Sequence, residues 1–102
     1  MRVEWTDPAL DALEGMRDYI ARDSPYYARR FIERIFDAAA KLKDHPKMGR
    51  PVPEADRDEV RELIYQGYRI IYRAQLERVQ VLTVLHGSRN LAAKEVKPWD
   101  VG

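Results

Sequence analysis

The spacing of apolar residues changes along this chain of 102 residues, and the change limits the folds open to it. After a short first strand, the apolar residues recur every three or four positions up to residue 42, which is the period of a helix. From residue 60 they form short runs rich in Val, Ile and Tyr, which are typical of strands. We therefore predict an α+β fold in the order β-α-α-β-β-β, with a helical hairpin packed on one face of a small, mainly antiparallel sheet.

The first strand and the first helix are predicted from residues 2–20. Val3 and Trp5 alternate with charged residues, which indicates a strand with one buried face. Asp7-Pro8 then predicts a helix start with the Asp7 side chain as the cap. Gly15 is expected to weaken this helix by up to about 1 kcal/mol relative to alanine. The predicted apolar stripe consists of Leu10, Leu13, Met16 or Arg17, and Ile20.

A second helix is predicted from Ser24-Pro25, which supplies another cap and first-position proline, to His45-Pro46, which ends it. Only a few residues separate the two helices, so they are expected to form an antiparallel hairpin. The predicted stripe of the second helix is Ala28, Phe31, Ile32, Ile35, Ala38, Ala39 and Leu42.

Residues 45–59 contain three prolines and an acidic run, and we predict a loop there. A hairpin with Gln66-Gly67 at its turn follows, and a polar turn leads into a last strand over residues 79–85. In the strand that begins at Tyr68, residues 68, 70 and 72 share one face and residues 69, 71 and 73 share the other. One face must meet the helices, so Tyr68 and Tyr72 are candidates both for the core and for a contact surface.

Composition places the chain in a broad class. Its length favours a single domain over residues 1–102, and the absence of cysteine excludes disulfides and fits a reducing compartment. Its acidic N-terminus and the lack of a run of about 20 apolar residues predict a soluble cytoplasmic protein. We expect no metal and no cofactor, since neither histidine has the companions that a metal site needs.

Charge is unevenly distributed along the chain. From residue 60 onward seven Lys/Arg face four Asp/Glu, which gives +3, whereas residues 1–59 carry eleven against thirteen, which gives −2. Thirteen of the eighteen basic residues are arginine, whose planar fork suits carboxylate, phosphate and aromatic partners. The net charge of +1 is too small to predict direct DNA binding by this protein alone.

Four motifs resemble the RelE/ParE superfamily of bacterial toxins, and its ParE branch in particular. They are G-R-P at residues 49–51, R-E-L at 61–63, Y-R-I-I-Y-R at 68–73 and V-L-H-G-S-R at 84–89, and the resemblance covers nearly the whole chain. It implies the same α+β fold and a toxin of a type II toxin–antitoxin pair. It further implies DNA gyrase as the target, inhibited by direct binding, and a ParD-like antitoxin as the partner in a hetero-oligomer.

The ribonuclease branch of the superfamily, which cuts messenger RNA on the ribosome, is the alternative. Arg69 and Arg89 fall on arginines of that branch, but Val60 and Glu62 replace two of its lysines, and a carboxylate at position 62 is expected to repel the scissile phosphate. The tyrosine expected after the last strand is also missing, with Trp99 as the only aromatic residue there. Two arginines do not supply general acid and base at neutral pH, so we predict no ribonuclease activity. A non-toxic antitoxin-binding partner is the remaining alternative.

The candidate contacts are chosen because Arg, Tyr and Trp are common interface anchors. Each has a structural alternative: Arg69 in a buried ion pair, and the remaining residues as ordinary core or surface positions. His86 lies beside Gly87 and Ser88, but adjacency in sequence does not make a catalytic dyad, and we predict a structural role for it. The candidates for target binding are Arg69, Tyr72, Arg73, Arg89 and Trp99, and those for antitoxin binding are Tyr26, Tyr27, Arg30 and Arg34.

Overall fold

The computed structural model describes residues 1–87 and 97–100, and these residues form two helices against one sheet. This arrangement confirms the predicted α+β fold. The helices are α1 (Asp7–Ala21) and α2 (Pro25–Ala40), with single 3-10 turns at Lys41–Lys43 and Pro98–Asp100. The strands are β1 (Arg2–Trp5), β2 (Arg50–Pro51), β3 (Val60–Tyr65), β4 (Tyr68–Ala74) and β5 (Arg78–His86).

The sheet order is β1-β5-β4-β3-β2. Among the strands of the described residues, only the β1–β5 pair is parallel, so the sheet is mainly antiparallel, as predicted. β2 was not predicted from the sequence; in it, Arg50 pairs with Glu62 and Pro51 with Arg61. Two residues are too few to show alternation, and the prolines around them favoured a loop. The β3–β4 turn is confirmed: Gln66 and Gly67 have φ values of 47° and 85°, which suit a tight hairpin.

The cap of α1 differs from the prediction. Thr6 is the N-cap, because its Oγ1 accepts a hydrogen bond from the backbone N of Ala9 at 3.3 Å. The same hydroxyl donates to the carbonyl oxygen of Val81 at 3.0 Å, which ties the helix start to β5. Asp7 lies in the first turn instead, where its negative charge interacts favourably with the helix dipole and stabilises the helix. Ser24 caps α2 as predicted, accepting from the backbone N of Tyr27 at 3.2 Å.

The buried stripe of α2 is confirmed, but that of α1 is shifted. Ala28, Ile35 and Ala39 of α2 are buried, and Ile35 and Ala39 pack with residues of the sheet. In α1, Leu10 is 41% exposed, whereas Ala9 is fully buried together with Leu13. The bond between Thr6 and Val81 fixes the rotation of the helix start, so the stripe runs through position 9 rather than position 10.

Both faces of the sheet are covered. On the helix side, Ile70, Val81 and Val84 pack with residues of α1 and α2. On the other side, a second cluster is formed by Val52, Val60, Ile71, Leu82, Leu85 and Trp99. The second side is therefore closed by the segment before β3 and by the C-terminal 3-10 turn. Within residues 1–87 and 97–100, no helix has the length and apolar character needed to cross a membrane.

Candidate interaction surfaces

Four charged side chains meet on the sheet face that points away from the helices. Nε of Arg69 on β4 donates to Oε1 of Glu62 on β3. The two terminal nitrogens of Arg69 donate to both carboxylate oxygens of Glu54, at 3.1 and 3.0 Å. Nε of Arg50 donates to Oε2 of Glu62 at 2.7 Å. We call Arg50, Glu54, Glu62 and Arg69 the arginine site.

Burial differs sharply within the arginine site. The side chains of Glu62 and Arg69 are 0% and 10% exposed, whereas those of Glu54 and Arg50 are 25% and 65% exposed. The hydrogen bond from Arg69 lowers the pKa of Glu54, against the opposing effect of burial. The pKa of Arg69 is raised, first by its hydrogen bond to Glu54 and then by Glu62. The inner carboxylate is therefore enclosed between two cations, and the outer one covers the remaining donors of Arg69.

This geometry corrects the expected effect of Glu62. A carboxylate at this position was expected to repel phosphate, but its charge is buried and compensated by Arg50 and Arg69. The obstacle to phosphate binding is instead that Arg69 already donates to two carboxylates. The buried structural pair, one of the alternatives for Arg69, is the arrangement found.

The G-R-P motif positions Arg50 for this network. The backbone N of Gly49 donates to the Tyr72 hydroxyl at 3.0 Å. A Cβ atom at position 49 would collide with the carbonyl oxygen of Glu62 and lie 2.7 Å from the Tyr72 hydroxyl, so only glycine fits this close approach. Nη1 of Arg61 also donates to the carbonyl oxygen of Gly49 at 2.8 Å. The motif therefore holds β2 against β3, with Arg50 beside Glu62.

The other residues selected for target binding have different locations. Tyr72 is fully buried and Trp99 is 5% exposed, so in this structure both are core residues, which corrects their selection as surface anchors. Burial also raises the pKa of Tyr72. Arg73 donates to the carbonyl oxygen of Trp99 and so fastens the C-terminal turn to the sheet. Arg89 lies outside the described residues.

The residues selected for antitoxin binding lie together on the exposed side of the first turns of α2. Tyr26 and Tyr27 are 62% and 67% exposed, and their rings meet edge to face with centroids 5.6 Å apart. The guanidinium carbon of Arg30 lies 5.8 Å from the Tyr26 ring centroid, and Arg34 is exposed on the next turn. We call Tyr26, Tyr27, Arg30 and Arg34 the tyrosine–arginine surface.

A groove of about 390 Å³ separates this surface from the β3–β4 hairpin. The Phe31 and Tyr68 rings, which both line the groove, pack with centroids 4.8 Å apart, and Tyr68 meets the His86 ring edge to face. Tyr27, Arg30 and Arg34 of this groove were selected from the sequence as antitoxin contacts. The other lining residues were not selected as antitoxin contacts, because only the packing of α2 beside the hairpin brings them together. The groove is lined by Ile20, Tyr27, Arg30, Phe31, Arg34, Tyr65, Gln66 and Tyr68.

Comparison with known proteins places the chain in one family. Residues 3–91 match the family model described as the ParE toxin of the type II toxin–antitoxin system, parDE. The putative toxin Y4kP of Sinorhizobium fredii is 37% identical over 87 residues, which cover 83% of this chain and 86% of that protein. Toxin RelE2 of Caulobacter vibrioides is 33% identical over 88 residues, covering 86% and 97% of the two chains.

Solved structures agree with this fold. A chain of the chromosomal ParDE toxin–antitoxin system of P. aeruginosa superposes with a TM-score of 0.71 at 21% identity, covering 84% of this chain and 95% of that one. A chain of the RelBE2 toxin–antitoxin complex of Mycobacterium tuberculosis gives 0.59 at 23% identity, with coverages of 83% and 95%. At these identities the structures show the shared fold, while the match over residues 3–91 shows the family. The chain belongs to the ParE toxin family of type II toxin–antitoxin systems.

Proposed function

We propose that this toxin inhibits DNA gyrase by direct binding, acts in the cytoplasm and is neutralised by a ParD-like antitoxin in a hetero-oligomer. The observation that carries the proposal is the match of residues 3–91 to the ParE family model. ParE-type toxins, as the sequence resemblance implies, poison gyrase, so that broken DNA accumulates and replication stops.

The chemistry of the arginine site supports binding rather than strand cleavage. Cleavage of RNA needs a proton acceptor and a proton donor beside the reacting oxygens. Arginine stays protonated at neutral pH, and its raised pKa makes Arg69 a still weaker acid. The lowered pKa of Glu54 makes that carboxylate a weak base. The Nε, Nη1 and Nη2 atoms of Arg69 already donate to Glu54 or Glu62.

The second candidate function is a ribosome-dependent messenger-RNA endonuclease. The observation that favours it is the 33% identity to a protein named Toxin RelE2, which carries the name of the other branch. Under this alternative, Arg69 would contact the scissile phosphate together with Arg89. Arg69 would first have to release Glu54, because that carboxylate occupies both of its terminal nitrogens.

The tyrosine–arginine surface supports the antitoxin part of the proposal. An amphipathic helix binds a groove through apolar side chains, while acidic residues at its edge pair with arginines. The groove beside α2 offers Phe31 and Tyr68 for the apolar contacts, with Arg30 and Arg34 at its edge. We propose that a helical segment of the antitoxin lies here.

A gyrase supercoiling and cleavage assay tests the proposal. Purified toxin, alone and with its candidate antitoxin, is added to gyrase and, in parallel, to a translating-ribosome extract. The proposal predicts antitoxin-reversible loss of supercoiling or trapped DNA breaks, with intact messages. Cut messages with unaffected gyrase would establish the endonuclease instead. Normal supercoiling, intact messages and normal growth on expression without antitoxin would identify a non-toxic antitoxin-binding partner.

A further inference from the structure

The two carboxylates that accept hydrogen bonds from Arg69 belong to different parts of the fold. Glu62 belongs to a central strand and its side chain is 0% exposed, so it is a fixed part of the fold. Glu54 belongs to the irregular segment between β2 and β3, and its side chain remains 25% exposed. The inner edge of the guanidinium is therefore held by the sheet, whereas the outer edge is covered by a side chain of a surface segment.

A depression of about 380 Å³ lies directly beside this outer edge. It is lined by Arg50, Glu54 and Arg69 together with the apolar side chain of Ile64, which is 56% exposed. Gly67 and Gly87 form another part of its wall, where the backbone N of Gly87 donates to the carbonyl oxygen of Gly67 at 2.7 Å. Because Gly67 and Gly87 have no side chains, nothing projects from this part of the wall and an incoming group has room.

The geometry of the Arg69–Glu54 pair is that of a guanidinium with a bound carboxylate ligand. Two parallel N–H···O bonds join the terminal nitrogens of Arg69 to the two oxygens of Glu54. This fork recognises a planar pair of oxygens and is stronger than a single neutral hydrogen bond. Any carboxylate that reaches the depression could form the same two bonds if Glu54 moved away.

We propose that Glu54 is an internal ligand of a carboxylate-binding site at Arg69, and that an Asp or Glu side chain of a protein partner replaces it when the toxin binds. The incoming carboxylate also meets the guanidinium of Arg50, which is 65% exposed, and its apolar neighbours meet Ile64. A matching segment on the partner therefore carries an acidic residue beside an apolar one. The inference rests on the proposed function in that it requires a protein partner.

Competition between Glu54 and the partner sets how strongly the site binds. An internal ligand is present at high effective concentration, so the site is open in only a fraction of the molecules. The apparent affinity for an outside ligand is the intrinsic affinity multiplied by that fraction. The arginine site holds two positive and two negative side chains with Glu54 in place. Without Glu54 it carries one uncompensated positive charge, which favours an incoming anion.

The test removes Glu54 and measures carboxylate binding directly. The variants are Glu54→Ala and Glu54→Gln, and Glu59→Ala is the control, because Glu59 is an exposed glutamate of the same segment. Acetate is titrated at constant ionic strength while the ¹⁵N resonance of Arg69 Nε is followed by NMR. Inorganic phosphate is titrated in a second series and chloride in a third. Thermal unfolding of each variant establishes that it is folded.

The proposal predicts a saturable acetate-dependent shift of the Arg69 resonance in Glu54→Ala. Half of that shift is expected at an acetate concentration about tenfold or more below that needed for wild type or Glu59→Ala. Glu54→Gln is expected to lie between them, since its amide oxygen still accepts one hydrogen bond.

Equal responses in Glu54→Ala and Glu59→Ala would overturn the proposal. A response to phosphate or chloride as strong as that to acetate would overturn the assignment to a carboxylate. Since the titration contains no gyrase, a negative result here is distinguishable from a failure of the toxin to inhibit gyrase.

Discussion

The side chains of Glu62 and Arg69 lie diagonally across the β3–β4 pair and form a buried ion pair on the sheet face away from the helices. A buried carboxylate is stable there only because cations compensate it. Arg50 provides the second cation from β2, through the close approach that Gly49 permits. The residues of the most distinctive motifs are thus joined in one structural network, which also shapes the candidate binding site.

Arg69→Ala is predicted to destabilise the protein by about 3 kcal/mol or more, because it leaves Glu62 buried with only one compensating cation. Urea unfolding at neutral pH measures this change. Arg78→Ala is the control, since Arg78 pairs with Glu4 where both side chains are more than one-third exposed, and such pairs contribute about 0–1 kcal/mol. Equal losses in the two variants would contradict a structural role for Arg69. A loss of toxicity in Arg69→Ala therefore identifies a contact with the target only if it exceeds the loss that the lower stability of the variant causes.

Two glycine substitutions are predicted to have opposite effects on stability. Gly49→Ala is expected to destabilise the protein by about 1–3 kcal/mol, because its Cβ would collide with the carbonyl oxygen of Glu62 and the Tyr72 hydroxyl. A Cβ at Gly15, in the middle of α1, meets nothing within 4 Å. Gly15→Ala is therefore expected to stabilise the protein by up to about 1 kcal/mol. Thermal unfolding measures both, and a gain in Gly49→Ala would show that the G-R-P backbone lies elsewhere.

The stability contributed by Glu54 is predicted to depend on pH. The pKa of Glu54 in the folded protein lies below its ordinary value of 4.5, mainly because Arg69 donates to it. Its contribution is therefore fully present above pH 4.5 and is lost as the pH falls through the folded pKa. The difference in unfolding free energy between wild type and Glu54→Gln should be largest near neutral pH and shrink below pH 4.5. Glu59→Gln is the charge-matched control, and a Glu54→Gln difference that grows in acid would contradict the pairing.

The tyrosine–arginine surface is predicted to separate antitoxin binding from target binding. Tyr27→Ala combined with Arg30→Ala removes an exposed aromatic ring and a cation from the groove edge. The double variant should weaken antitoxin binding by about tenfold or more, as expected for interface anchors, while gyrase inhibition is retained. Calorimetric titration with the antitoxin measures the first effect. Arg29→Ala, one position away on α2 and outside this groove, is the control and should bind the antitoxin like wild type.

Sequence patterns predicted the layers of this fold better than its contacts. The stripe of α2, the Ser24 cap and the Gln66-Gly67 turn depend on local spacing, and all were predicted. The Thr6 cap and the exposure of Leu10 depend on the bond to Val81, which lies 75 residues away in the chain, so local patterns did not predict them.

The arginine site illustrates the same limit. Alternation predicted that Tyr68 and Tyr72 share a face, and the helices cover that face. The meeting of Glu54 with Arg69 carried no sequence signal, because one acidic residue in an acidic run looks like any other. The use of Trp99 as a core residue likewise depends on a return of the C-terminus to the sheet.

The stoichiometry of inhibition tests the central claim, toxicity by binding, most directly. Toxin is titrated against a fixed gyrase concentration well above the dissociation constant, and supercoiling is measured together with the integrity of messages in a parallel translation extract. Toxicity by binding predicts that inhibition rises linearly and saturates at a fixed ratio of toxin to gyrase, that antitoxin reverses it, and that messages stay intact. Complete loss of messages at toxin amounts far below the number of ribosomes, with unaffected gyrase, would contradict it, because only a catalyst acts at such ratios.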